Sequence, residues 1–131
     1  ISKNAYGVSV GGTYVEISIN QQHMWYYKNG KLVVETDVVT GNYGTNDTPK
    51  GAYSIIYKAS PATLMLNSHV TFWLPFTSDG CGIHDASWRA SWEYGGTRYK
   101  GHGSHGCVNT PYNAAKKIYN NISSGTRVVV Y

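Results

Sequence analysis

Along residues 13–18 apolar and polar positions alternate, with Val15 and Ile17 on one side and Tyr14, Glu16 and Ser18 on the other. A repeat of two is the period at which a strand turns successive side chains to opposite faces, so this segment predicts a strand with one face in a core. Residues 24–27 are rich in strand formers, and Asn29-Gly30 supplies turn residues before a further run over 31–39. Together they predict a β-hairpin and its continuation. Gly, Asn, Thr and Pro gather in residues 41–50 and predict a loop, after which residues 52–57 read as strand again. Short apolar runs at 70–74 and 82–84 predict buried strands. Residues 86–103 mix aromatics and glycines with no steady period and predict a long ordered loop.

One segment carries a helical period. Ala114, Ala115 and Ile118 form its apolar face, with Thr110 as the expected N-cap and Pro111 in the first turn, where a missing N–H costs nothing. Fraying is expected near Asn120 and Asn121, and Gly125 precedes a valine-rich last strand over 126–131. The pattern predicts a mainly β chain with one principal helix over about 111–121, late in the sequence, and no internal repeat or linker.

Composition sharpens this in three respects. At 131 residues the chain has the length of one domain, 1–131, which can bury about two-thirds of its unfolded surface. With 41% apolar and 14% charged residues it is too hydrophobic to be a disordered chain, and twelve Tyr, four Trp and fifteen Gly favour strands joined by tight turns. The net charge of +4 comes from scattered residues such as Lys28, Lys31, Arg89, Lys100, Lys116 and Lys117, with no basic helix to read nucleic acid. No apolar run approaches the roughly 18 residues that span a bilayer. Ile1 opens no basic-plus-apolar leader, so the chain reads as a domain excised from a longer exported protein. Two cysteines, Cys81 and Cys107, are too few for a disulfide scaffold and are read singly.

Cys107 lies in Ser104-His105-Gly106-Cys107-Val108-Asn109, directly after Gly101-His102-Gly103. Glycines at 101, 103 and 106 leave the approach to the sulfur bare and the local N–H groups free to face an oxyanion, which points to a nucleophile rather than an inert buried thiol. A thiol with a pKa of roughly 8.5 needs a base or a cationic neighbour to attack at neutral pH. His105, two residues away, has poor geometry for a direct relay, and His102 reads as structural. His84 closes the apolar run Gly82-Ile83-His84, where a strand would hold the imidazole, and its second ring nitrogen needs an acceptor: the Asp85 carboxylate or a backbone carbonyl. His84, His102, His105 and Cys107 also have the donor chemistry of a zinc site, but the spacing matches no common zinc pattern, which ranks that reading second.

Ser104-His105-Gly106-Cys107-Val108-Asn109 resembles the signature of the L,D-transpeptidases, the YkuD-type catalytic domain. Ile83-His84-Asp85, Thr48-Pro49-Lys50-Gly51-Ala52-Tyr53 and the strand-turn block from Tyr14 to Val34 join it in family order, and Gram-positive enterococcal-type members are the most similar. The resemblance implies a β-sandwich-like domain in which Cys107 attacks the third-residue carbonyl of a tetrapeptide stem and expels D-alanine. The thioester then passes to an amine of a neighbouring stem. Carried over to this chain, Cys107 is the nucleophile, His84 the general base and acid with Asp85 orienting it, His105 an assisting residue, and the backbone N–H groups of His105, Gly106 and Cys107 the oxyanion hole. Acylation by carbapenem-type β-lactams is implied as well. So are an extracytoplasmic site of action at the cell wall, a monomer, no cofactor and no metal.

Softer expectations concern the stem-peptide groove. Trp88, Trp92, Tyr94 and Tyr99 are expected as apolar walls, Arg98 and Lys100 as partners of a stem carboxylate, and Ser104 and Asn109 as further substrate contacts, although an amide at 109 suits holding the loop better than chemistry. Trp73 and Tyr53 read as core. Cys81 has no role in the resemblance, and pairing with Cys107 would block the nucleophile. The competing functions are a zinc-dependent peptidoglycan hydrolase and a non-catalytic wall-binding module that grips with its aromatic residues.

Overall fold

Strand β1 (Tyr14–Ser18) lies at the centre of a sheet because both its edges are taken. On one side it pairs antiparallel with β2 (His23–Lys28), Tyr14 opposite Tyr27, and on the other parallel with β10 (Arg127–Val130), Val15 opposite Val128. A turn with Asn29 and Gly30 at φ +53° and +78° leads from β2 to β3 (Lys31–Asp37), and β4 (Gly51–Ser54) pairs with β10, giving the order β3-β2-β1-β10-β4. The computed structural model describes residues 12–64, 69–86, 88–90, 92–97, 99–104 and 106–131.

A second sheet is built from β7 (Trp73–Pro75), β8 (Gly82–Asp85) and β9 (Val108–Thr110), with β8 central, antiparallel to β7 and parallel to β9. A small ladder, β5 (Ala62–Thr63) with β6 (His69–Val70), stands apart. Val15, Ile17 and Val128 of the first sheet share one core cluster with Leu74, Ile83 and Val108 of the second. The architecture is mainly β, as the periodicity predicts.

Three departures from the sequence expectation have physical causes. All five residues of β1 are buried, not alternate ones. Tyr14 packs with Val129 in a second small cluster, and Glu16 is accommodated because the Tyr131 hydroxyl donates to its carboxylate. The strand expected over 52–57 stops at Ser54 because the chain changes sheets. Ile55 still exchanges backbone bonds with Thr126 and Gly125 at the end of the first sheet, whereas the Ile56 N–H donates to Pro75 of β7 at 2.8 Å. Thr110, expected as the N-cap of the helix, is instead the last residue of β9, paired with Asp85, and its hydroxyl donates to the Val108 carbonyl. Pro111 takes the cap position, and the helix, α2 (Tyr112–Asn121), follows a short kinked turn, α1 (Tyr99–His102). Ala115 and Ile118 face the core, and the hydroxyl of Tyr26 and the ammonium of Lys28 both donate to the Asn121 carbonyl at the helix end.

Candidate active site

His84 sits mid-sheet on β8, so two ladders hold its backbone and ring contacts hold its side chain. The β7 register places Trp73 directly opposite, with ring centroids 5.9 Å apart, and Trp88 covers the imidazole at 5.7 Å. Nδ1 lies 2.7 Å from the Asp85 carbonyl. A carbonyl only accepts, so the ring proton belongs on Nδ1 and Nε2 is left as the acceptor a general base requires. Of the two acceptors left open by the sequence, the backbone carbonyl is the one used. The Asp85 carboxylate turns away and accepts the N–H groups of Thr71 at 2.9 Å and Phe72 at 2.8 Å, holding the approach to β7. Burial lowers the His84 pKa below 6.5, outweighing the Asp85 carbonyl and charge that raise it.

This neutral state has a stability consequence. Because the folded pKa lies below the unfolded one, His84 contributes fully above about pH 6.5, and the contribution is lost as pH falls through that value toward the folded pKa. Wild type should therefore lose stability between about pH 7.5 and about pH 5.5, by up to ~1.4 kcal/mol per pH unit, relative to His84→Gln. Urea unfolding of both proteins at the two pH values measures the difference, and parallel curves would contradict it.

Cys107 immediately precedes β9. Continuing the β8–β9 register by one residue sets it beside Gly82, whose N–H bonds to the sulfur. Residues 82 and 84 face the same side of β8, so the thiol and the imidazole share one face of the sheet. Burial pushes the thiol up to about 11, with the Gly82 N–H opposing and Cys81 and Asp79 adding to the rise. Among the described residues no hydrogen bond joins Sγ to His84; the thiol points to the Gly80 carbonyl at 3.5 Å. A hydrogen bond from the thiol to Nε2 would require Sγ to leave that carbonyl, and such contacts commonly tighten only when substrate binds.

The loop before Cys107 is held from three sides. Thr48, 2% exposed, donates from its hydroxyl to the Gly106 carbonyl at 2.7 Å. Ser104 accepts from the Gly106 N–H at 3.2 Å and donates to the Cys107 carbonyl. Gly106 itself has φ +119°, a left-handed conformation that favours glycine. Gly103 is required by crowding, since a methyl there would lie 2.4 Å from Cα of Asn42. Gly103 and Gly106 therefore also answer backbone demands, beyond the cleared approach that the sequence suggested. Cys81 is a free thiol, as is Cys107, and its sulfur lies 3.2 Å from where a Cβ on Gly106 would stand.

The other expected residues divide sharply. Trp88 and Trp92 are exposed, at 52% and 70%, with Trp88 on the imidazole. Tyr94 is half-buried and donates to the Ala86 carbonyl. Tyr99, expected as a groove wall, is 4% exposed and belongs to the main core, because the α1 turn drives its ring inward. Ser104 is buried with its hydroxyl committed to the Cys107 loop, and Asn109, 2% exposed, gives its backbone to Val39 and, with its amide oriented so that the oxygen faces Arg89, accepts from Arg89 Nε at 2.8 Å. Both hold the loop, the role an amide at 109 was expected to favour, whereas Ser104 was expected to touch substrate. Lys100 reaches over the Tyr43 ring. His105 and Arg98 lie outside the described residues, as does the side chain of His102. No three His, Cys, Asp or Glu side chains gather as metal ligands among the described residues.

Trp73 is the site residue the sequence reading placed in the core. It is buried, but its ring backs His84 and its indole N–H donates to the Tyr57 hydroxyl at 3.1 Å. Its place opposite His84 depends on strand register, which the local sequence does not display.

The family model described as the L,D-transpeptidase catalytic domain, YkuD, matches residues 12–130. A crystal structure of a mutant L,D-transpeptidase from Enterococcus faecium is 41% identical with a TM-score of 0.87, covering 93% of this chain and 50% of that one, so the chain spans about half the length of that relative. The solution structure of the E. faecium catalytic domain acylated by ertapenem is 38% identical, TM-score 0.77, with 95% of this chain and 100% of that chain covered. An L,D-transpeptidase from Stackebrandtia nassauensis is 29% identical, TM-score 0.76, with 92% of this chain and 55% of that one covered. Comparison with curated proteins finds no match.

Proposed function

Since the chain belongs to the YkuD family of L,D-transpeptidase catalytic domains, we propose that it joins peptidoglycan stem peptides through a thioester on Cys107. The observation that carries this reading is the shared face of β8 and β9, to which both Cys107 and a His84 whose Nδ1 is committed to the Asp85 carbonyl belong. With the imidazole kept neutral and the thiol kept protonated by burial, the resting pair is uncharged. His84 Nε2 therefore takes the thiol proton as sulfur attacks the third-residue carbonyl of a tetrapeptide stem. The C–S bond forms and the carbonyl oxygen becomes an oxyanion. The intermediate then collapses, breaking the C–N bond to D-alanine, whose nitrogen receives the proton from His84. An amine of a neighbouring stem attacks the thioester, the new amide closes the cross-link, and the thiol is restored.

Of the three backbone donors expected at an oxyanion hole, the Gly106 N–H is already turned to Ser104, which leaves the Cys107 N–H as the donor favoured here. Trp88, exposed and lying on the His84 ring, offers an aromatic surface suited to an apolar stretch of stem peptide. Acylation by carbapenems is part of the proposal, supported by the ertapenem-acylated E. faecium domain. So is action outside the cytoplasmic membrane, where the substrate is assembled. Incubation with a tetrapeptide stem and an amine acceptor should release D-alanine and give the coupled product with wild type, and neither with Cys107→Ala. Equal turnover by the variant would contradict the reading.

A further inference from the structure

We propose that Thr48 is the positioning residue that aims the oxyanion-hole donor, a role that rests on the acyl-transfer reading above. Thr48 lies in the 41–50 loop, 58 residues from Gly106 in sequence, yet its hydroxyl donates to the Gly106 carbonyl at 2.7 Å while accepting from the Gly41 N–H at 2.9 Å. The relay runs one way: Gly41 N–H to Oγ1, then O–H to the Gly106 carbonyl. That carbonyl shares a planar trans peptide with the Cys107 N–H, and in such a unit the two groups point in opposite directions. Holding the oxygen toward Thr48 therefore points the N–H away from it, on the far side of the peptide.

A lock is needed at this place. Gly106, at φ +119°, has no Cβ to restrict its backbone, so the peptide that follows it, between Gly106 and Cys107, can turn over more readily than it could after a residue with a side chain. Ser104 secures the units on either side of it, accepting the Gly106 N–H and donating to the Cys107 carbonyl. Thr48 secures the middle one. If the peptide turned over, the carbonyl would face the developing negative charge in place of the N–H, converting a stabilising dipole into a repelling one. Thr48 thus acts on the reaction through the Gly106 carbonyl, and the Thr in the Thr48-Pro49-Lys50-Gly51 stretch has a chemical reason to be a hydroxyl residue.

The test compares two reactions of Cys107 in the same protein. Acylation by a carbapenem passes through an oxyanion; alkylation by iodoacetamide needs the sulfur but develops none. Thr48→Val keeps the side-chain shape and removes the hydroxyl, and it should lower the limiting acylation rate by about 10²-fold while leaving the iodoacetamide rate and the folded circular-dichroism spectrum unchanged. Thr48→Ser, which restores the hydroxyl, should recover most of the acylation rate. Ser104→Ala supplies an independent variant of the same lock, with the same split expected between the two reactions, should Thr48→Val fail to fold. Equal falls in both reactions, wild-type acylation in Thr48→Val, or no rescue by Thr48→Ser would overturn the role of Thr48. Failure of the wild type itself to acylate, with iodoacetamide still modifying Cys107, would instead remove the acyl-transfer reading on which that role rests.

Discussion

Replacing His84 with Gln should slow acylation of Cys107 by about 10²- to 10⁴-fold, the range supplied by a positioned general base. The size follows from the resting state. A thiol whose pKa is pushed up to about 11 carries almost no thiolate at neutral pH, so attack depends on a base that removes the proton during the reaction. A glutamine side chain would preserve much of the shape between Trp73 and Trp88 but offer no site for a proton. The pH profiles should separate the two proteins. Wild-type acylation is lost only as pH falls through the depressed His84 pKa, below 6.5, and is retained above it, because the base must be neutral to accept a proton. The variant should lack that step and rise with thiol ionisation toward about pH 11. A variant that acylates at the wild-type rate at neutral pH would refute the assignment of the base.

A second large effect is expected at Gly82, which neighbours the sulfur. A single methyl group there would lie 2.7 Å from the Leu74 carbonyl oxygen, from Cα of Pro75 and from the Trp73 ring. Two of these atoms are backbone and the third belongs to the ring that backs the His84 imidazole, so relief requires β7 and β8 to separate or the indole to leave His84. Overpacking of this kind costs about 1–3 kcal/mol. Gly82→Ala should show both a lowered thermal midpoint and a fall in the acylation rate, measured by differential scanning calorimetry and by mass spectrometry at a temperature where the variant remains folded. Wild-type values of both would mean that the close approach of Trp73 is not what holds the ring.

The parts of this molecule that can be read from sequence are those set locally. The β2–β3 hairpin announces itself because Asn29-Gly30 suits the left-handed turn and the flanking residues are strand formers. Cys107 and His84 stand out as candidates because their residue types are rare and their neighbours resemble a family signature. The β9 strand is not legible: Val108–Thr110 is extended because β8 lies on one side and Val39 on the other, and a three-residue strand made by its partners leaves no period. The helix cap moves for the same reason, since Thr110 has the side chain of an N-cap and its backbone is spent on the ladder. Among the loop aromatics, nothing local tells Tyr99, which is core, from Trp88, which lies on the imidazole. Trp73 reads as core from its apolar surroundings and is buried, but its contact with His84 comes from the antiparallel register of β7 and β8. Thr48 is marked in the sequence only by a resemblance; its bond to Gly106 spans 58 positions and belongs to tertiary structure alone.

The central claim is that Cys107 becomes an acyl-enzyme without help from a metal. Intact-mass measurement after incubation with a carbapenem under reducing conditions tests it most directly, because each outcome is a mass on a named residue. One adduct is predicted on wild type, unchanged by prior treatment with a chelator and absent from Cys107→Ala. A wild type that gains no mass, an adduct that persists in Cys107→Ala, or one abolished by chelation would contradict it.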